Sequence, residues 1–210
     1  MIWRVSGVAL VNGLEMVPDN SVLCIEERSG NIKSIYALYV ASERARAGTP
    51  VTYLTLQTKE DVAKRMAQLR IPGSDLLRVV EIQPVSAKPE VLTFISNPET
   101  PLIIIDPFSV FFAEESFSDL SILLFSLIST SRKGKTFLLL VDSGVLPERQ
   151  ENLVRAMTDG IIEFTIVQEG DKLKHYINIP KMRGEYPREK MLPFTVNEEG
   201  LLIDTRERHG

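Results

Sequence analysis

Short, unbroken apolar runs alternate with amphipathic stretches along this chain, and the alternation predicts strands separated by helices. Residues 22–25 (VLCI), 51–56 (VTYLTL), 76–82, 101–106 (PLIIID) and 136–142 (TFLLLVD) read as strands. The runs at 101–106 and 136–142 lack polar alternation, which marks strands buried on both faces, as in a parallel sheet. A helix opened by Lys33-Ser34 carries Ile35, Leu38, Tyr39 and Ala45 on one side and stops at Gly48-Thr49-Pro50. Residues 59–69 place Val62, Met66 and Leu69 on one helical face. Residues 86–97 predict a helix interrupted near Pro89. Residues 117–130 predict a largely buried helix whose end, Ser131-Arg132-Lys133-Gly134, carries the cations a helix C-terminus favours. Residues 147–157 predict a helix with Pro147 at or near its first turn. Runs at 160–168 and 172–180 flank Glu169-Gly170-Asp171, a hairpin signal. The lead-in holds turn signals at Gly7, Asn12-Gly13 and Pro18-Asp19-Asn20, and the tail carries Pro187 and Pro193 before Leu201-Leu202-Ile203. The order implies an α/β fold: a mostly parallel central sheet flanked by helices, with right-handed crossovers and a C-terminal antiparallel hairpin. No internal repeat or low-complexity linker divides the chain, so residues 1–210 read as one domain.

Composition narrows the function classes. The 210 residues are 44% hydrophobic and 25% charged, enough for a sizeable core in a soluble protein. A net charge of -4 supplies no basic field, so nucleic acid and anionic membrane are disfavoured as partners. The single Cys24 sits in an apolar run and reads as a core thiol. His175 and His209 have no cysteine pair to join them in a metal cluster. Met1-Ile2-Trp3-Arg4 does not open a secretory leader. The most apolar segment, 120–128, is too short to span a bilayer, and the expected location is the cytoplasm.

The chemistry concentrates in residues 21–47, read as buried strand, tight loop and helix. That is the layout of a phosphate-binding loop, which asks for G-x-x-x-x-G-K-[ST]. The window here is Glu27-Arg28-Ser29-Gly30-Asn31-Ile32-Lys33-Ser34. Lys33, Ser34 and one internal glycine, Gly30, are present. Glu27 stands at the first glycine position and Ile32 at the last. A carboxylate ~4 Å from a phosphate costs about 1 kcal/mol in water and about 4 kcal/mol at a surface-like dielectric. If the Ile32 position needs positive φ, its branched side chain costs roughly 1–2 kcal/mol. The plainer reading makes Lys33 and Ser34 ordinary first-turn helix residues.

Other positions add to the picture. Asp106 ends a central strand, where it faces the ligand crevice of a parallel sheet or simply caps the turn before Pro107. Gln57 and Thr58 follow the second strand; glutamine orients a water but cannot accept its proton. Glu60 reads as a first-turn helix carboxylate. Lys181 and Arg183 flank Met182 and point the same way on an extended segment. Phe108, Phe111, Phe112 and Phe117 surround Glu114-Glu115, and this aromatic stretch either tucks into the core or forms a partner surface.

Taken together these residues resemble the RecA superfamily and, within it, the archaeal and bacterial KaiC-like ATPases. The resemblance covers nearly the whole chain. SVLCIEERSGNIKSIYALYVA is similar to the family's strand, Walker A loop and helix, and PLIIIDPFSVFF to its Walker B strand. The most specific part is the ending MTDGIIEFTIVQEGDKLKHYINIPKMRGEYPREKMLPFTVNEEGL. The resemblance implies a RecA-like P-loop fold and ATP bound between subunits of a ring. It assigns the phosphate lysine to Lys33, the Mg²⁺ ligands to Ser34 and Asp106, and contact with a neighbour's nucleotide to Lys181 and Arg183. The loop residues Glu27, Ser29, Gly30, Asn31 and Ile32 form the vestigial nucleotide site. Gln57 stands at the catalytic acid, so no catalytic residue is expected. The implied protein is a KaiC-like pseudo-ATPase with no cofactor or weakly bound ATP and Mg²⁺. It would act through protein–protein contact, in homo- or hetero-oligomers with RecA/KaiC-like subunits. A weak ATPase or nucleotide sensor is the alternative, and a recombinase-like DNA-binding module the third reading.

Overall fold

The computed structural model describes residues 4–5, 8–9, 17–28, 30–97, 99–186, 190–197 and 200–203. Gly7, Asn12, Gly13, Ser29, Pro187 and His209 lie outside the described residues. Two short strands, β1 (Arg4–Val5) and β2 (Val8–Ala9), pair antiparallel. The core sheet is built from β3 (Val22–Glu27), β4 (Val51–Thr55), β5 (Leu77–Glu81), β6 (Leu102–Asp106), β7 (Thr136–Asp142), β8 (Gly160–Glu169), β9 (Lys172–Met182), β10 (Leu192–Asn197) and β11 (Gly200–Ile203). Their order is β11-β10-β9-β8-β3-β7-β6-β4-β5. From β5 to β8 every pairing is parallel; from β8 to β11 every pairing is antiparallel. The expected fold class is thus the observed one, and the antiparallel part extends beyond the expected hairpin. Pro193 sits inside β10, opposite Tyr176.

Helices α1 (Ile32–Arg46), α2 (Lys59–Gln68), α3 (Ala87–Ser96), α4 (Phe108–Phe111), α5 (Phe117–Ser131) and α6 (Glu148–Met157) connect the strands. Two apolar clusters lie on the two faces of the sheet. Leu23 and Ile25 of β3 join α1 and α2 on one face, while Val22 and Cys24 join α3, α4, α5 and α6 on the other. Successive side chains of a strand point to opposite faces. A strand covered on both sides must therefore be apolar at every position, which is why 102–105 and 137–141 read as continuous runs. Cys24 is fully buried among them, the core thiol expected.

Several local expectations resolve differently. Pro89 does not interrupt α3; it lies in the first turn, where a missing N–H costs no hydrogen bond. The stretch after β6 is not an open aromatic loop: it forms α4, and Phe108, Phe111 and Phe112 are buried in the second cluster. Of the two readings offered for the aromatic stretch, burial in the core is observed for these three rings, while Phe117 is half-buried with the Arg149 guanidinium 4.0 Å from its ring centroid. Thr58 and Ser116 cap α2 and α5 through bonds from Asp61 N and Asp119 N, each at 3.1 Å. Among the described residues no helix is long and apolar enough to cross a membrane.

Packing at the β8–β9 junction is tight enough to test. A Cβ on Gly160 would stand 2.7 Å from Met182 Sδ and 2.8 Å from Leu23 Cδ2, whereas one on Gly73 meets nothing within 4 Å. Gly160→Ala should lower stability by roughly 1–3 kcal/mol through overpacking. Gly73→Ala should be close to neutral. Urea midpoints read the difference, and equal midpoints for the two variants would sink this account of the junction.

Candidate functional site

Strand register sets the site. At the carboxyl edge of the sheet Glu27 of β3 lies opposite Asp142 of β7, and Thr55 of β4 opposite Asp106 of β6. The chain leaves β3, turns through Gly30 at φ +135° and enters α1 at Ile32. The N-cap, Asn31, makes no side-chain capping bond, and the first turn of α1 holds no acidic residue. The leading amides of the helix therefore need an acceptor from elsewhere.

Glu27 supplies it. Its carboxylate lies beneath the loop, where Oε2 accepts from the Lys33 N–H at 3.1 Å. The negative charge sits at the positive end of the helix. Gly30 leaves the space: a Cβ there would stand 2.2 Å from Glu27 Oε1. That Oε1 is sealed from solvent and has no hydrogen-bond partner among the described residues. Glu27 as a whole is 3% exposed. Burial pushes its carboxyl above the usual range, and the Lys33 amide and ammonium pull it partly back.

Lys33 is also 3% exposed. Its Nζ donates to Asp142 Oδ1 at 2.5 Å. Ser109 on α4 holds Asp142 from the far side, accepting from its N–H at 3.0 Å and donating to Oδ2 at 3.3 Å. Asp106 has a separate set of partners. The Tyr53 hydroxyl donates to its Oδ2, and Ser34 lies within hydrogen-bonding reach of both Asp106 and Tyr53. Burial pushes Asp106 up, against the bonds from Tyr53 and Ser34 and the charge of Lys33. Burial and the neighbouring Asp106 push the Tyr53 phenol well up. The inventory is three carboxylates, Glu27, Asp106 and Asp142, around the single ammonium of Lys33. Arg65 from α2 reaches the rim, donating to Asn31 O at 3.2 Å.

The fold thus brings Glu27, Gly30, Asn31, Ile32, Lys33, Ser34 and Asp106 to one place, with Ser29 outside the described residues. Ile32 is helical rather than left-handed, so the strain expected of a branched residue there does not arise; Gly30 takes the turn. Gln57 is half-buried, and its N–H donates to Thr55 Oγ1 at 3.3 Å. Thr58 is occupied as the α2 cap. Lys181 and Arg183 lie at the opposite, amino edge of the sheet, the length of a strand away. Lys181 Nζ donates to Ala156 O at 2.8 Å and Arg155 O at 3.1 Å, at the C-terminus of α6. Arg183 donates to Asn20 O at 3.0 Å and pairs with Asp159 at 3.4 Å. Two site residues escaped the pattern. Asp142 ends a buried strand just as Asp106 does, a signal that was available. Tyr53 gave no signal, since an aromatic residue in a buried strand is ordinary. Among the described residues no group of three or more His, Cys, Asp or Glu is arranged to hold a metal ion.

Comparison with solved structures places this geometry on a known scaffold. The flagellar accessory protein FlaH from Methanocaldococcus jannaschii superposes with a TM-score of 0.75 at 22% identity, over 90% of this chain and 91% of that one. A KaiC-like protein from the hyperthermophilic archaeon Pyrococcus horikoshii OT3 gives 0.74 at 19% identity, over 97% of this chain and 100% of that one. The chain therefore has the KaiC-like, RecA-type fold that its motifs suggested. No protein-family model and no curated protein matches the sequence.

The buried acids make stability depend on pH. Folded Asp106 holds its proton more tightly than the unfolded chain does, so the folded state binds more protons across that interval. The part of the stability set by Asp106 should then fall as pH rises from about 4 through the raised value, and Glu27 adds a slope of the same sign, against the opposite slope from Asp119, Asp159 and Glu169, which are held low. Asp106→Asn should remove that falling part from the profile measured by urea unfolding between pH 4 and 8. A variant profile parallel to the wild type would exclude Asp106 as its source.

Proposed function

We propose that this protein is a KaiC-like pseudo-ATPase: a non-hydrolysing subunit of RecA-type fold that acts through protein–protein contact in a regulatory or scaffolding role. The fold implies ATP and Mg²⁺ at the carboxyl edge of the sheet, and the residues there do not fit them. The observation that carries the reading is the Glu27 carboxylate on the Lys33 amide at the head of α1, where a phosphate oxygen would have to lie. Lys33 is engaged by Asp142, and Asp106 by Tyr53 and Ser34, so neither the phosphate lysine nor the metal carboxylate stands free. Gln57 at the position of the catalytic acid supports absence of hydrolysis, since an amide takes up no proton from water.

A second reading has one observation in its favour: Lys33, Ser34 and Asp106 do converge. In that reading the protein is a weak ATP-binding protein or nucleotide sensor. A recombinase-like DNA-binding role draws no support from a net charge of -4. The proposed partners are RecA/KaiC-like subunits, the same chain or a homologue, with Lys181 and Arg183 at the contact and the cytoplasm as the setting. Light scattering should then show an assembly larger than one chain, alone or mixed with such a subunit; a monomer under both conditions would count against the intersubunit role.

Calorimetric titration of ATP with Mg²⁺ tests the main claim. The expected result is no binding at micromolar ligand and no phosphate release, unchanged in Lys33→Ala. Micromolar affinity with turnover that Lys33→Ala abolishes would establish the second reading instead.

A further inference from the structure

We propose that the outer face of α5 is a docking surface for a second copy of this chain, the two α5 helices pairing antiparallel across a two-fold axis. The inference stands apart from the reading above, since it uses neither the carboxyl edge of the sheet nor Lys181 and Arg183.

α5 lies over the second apolar cluster, with Leu120, Leu123, Leu124 and Leu127 buried in it. An amphipathic helix of this kind turns a charged side to water, as α2 does with Glu60, Asp61 and Lys64 and α6 with Glu148 and Arg149. α5 instead carries no charged residue from Leu120 to Ser131. Ile122 and Phe125, 69% and 70% exposed, are neighbours three residues apart on its outer stripe. Asp119, in the first turn, is engaged by the Ser116 hydroxyl at 2.7 Å and by Lys88 at 3.4 Å. Two large apolar side chains together in water on an uncharged helix face mark a contact surface.

The pattern of that face selects the occupant. An isologous contact sets one patch against itself, so each residue must suit its symmetry mate. About the point between Leu123 and Leu124, α5 reads nearly alike from both ends: Ile122 matches Phe125, Ser121 matches Ser126, and Ser118 matches Ser129. In an antiparallel pair centred there, Ile122 of one copy meets Phe125 of the other, and the contact occurs twice. The serines around them are small enough to let the helices approach, and the Ser121 hydroxyl already donates to Phe117 O at 2.8 Å. Charge agrees with that direction. The exposed Glu114 precedes the helix and the exposed Lys133 follows it. The same symmetry brings Glu114 of one copy to the end that carries Lys133 of the other, and it sets opposed helix dipoles side by side. A parallel pair would set like charge against like. Glu115 and Arg132 are engaged within the chain by Lys88 and Asp159, which leaves the cross-pairing to Glu114 and Lys133.

One helix face falls well short of the roughly 20–30 residues per side of a standard interface, so the contact should be weak, half formed at about 10–100 µM. Sedimentation equilibrium over roughly 5 to 500 µM brackets that range. Wild type should double in mass across it, and Phe125→Glu should not, with an unchanged urea midpoint because the ring is exposed in the single chain. If Phe125→Glu melts early, Ile122→Glu should give the same result. At low salt Glu114→Lys and Lys133→Glu should each weaken the doubling by roughly threefold or more, and Glu114→Lys/Lys133→Glu should restore it. A wild type whose mass does not double overturns the inference. So does a doubling that survives both Phe125→Glu and Ile122→Glu, which would leave the contact proposed at Lys181 and Arg183 standing. A double charge reversal no stronger than the single ones overturns it as well, because only an antiparallel pair gains from the exchange.

Discussion

A helix N-terminus must be given an acceptor for its leading amides. α1 is buried over residues 33–42 and again at Ala45, and it runs along the middle of one sheet face. Its N-cap residue, Asn31, makes no side-chain capping bond. The carboxylate from the end of β3 meets that need. The turn at Gly30, the inward aim of Glu27 and the placement of Lys33 follow from this one contact. A protein that bound nucleotide there would need the same amides free.

The rest of the edge follows a similar logic. Each group that would meet a ligand meets another protein group. Lys33 faces Asp142, and Asp106 faces Tyr53 and Ser34. A buried lysine without a counter-ion and a buried aspartate without donors are both costly. Pairing them internally stabilises an apo edge that would otherwise depend on a bound ligand. Two raised carboxyl groups remain as the residual cost, visible in Glu27 and Asp106.

Ionic clasps running from Glu26 on β3 to Asp159 at the amino edge hold the antiparallel extension to the parallel core. Arg155 Nε lies 2.9 Å from each carboxylate oxygen of the buried Glu26, and the same guanidinium reaches Glu163 on β8. Asp159 accepts from the Val22 N–H at 2.9 Å and pairs with both Arg132 and Arg183. These contacts tie β3, α5, α6 and the start of the hairpin together. Lys181 adds to the same clasp through the last carbonyls of α6, where a cation is favoured. The two basic residues near the hairpin thus have structural work within the chain.

Much of the architecture was legible in the residues. Unbroken apolar runs such as LIIID and TFLLLVD reported strands covered on both faces, because burial alone dictates that pattern. Glu169-Gly170-Asp171 reported its hairpin, because Gly170 at φ +60° needs the freedom that glycine has. The substitution of Glu27 for a glycine reported that phosphate would be repelled. It did not report that the carboxylate turns in and takes the amides for itself. Nor did the chain announce that Lys33 would meet Asp142, 109 residues away, or that Tyr53 would meet Asp106, 53 residues away. Periodicity along a chain encodes which residues are buried. Which buried charges become partners is decided by the register of neighbouring strands, and that exists only once the sheet has formed.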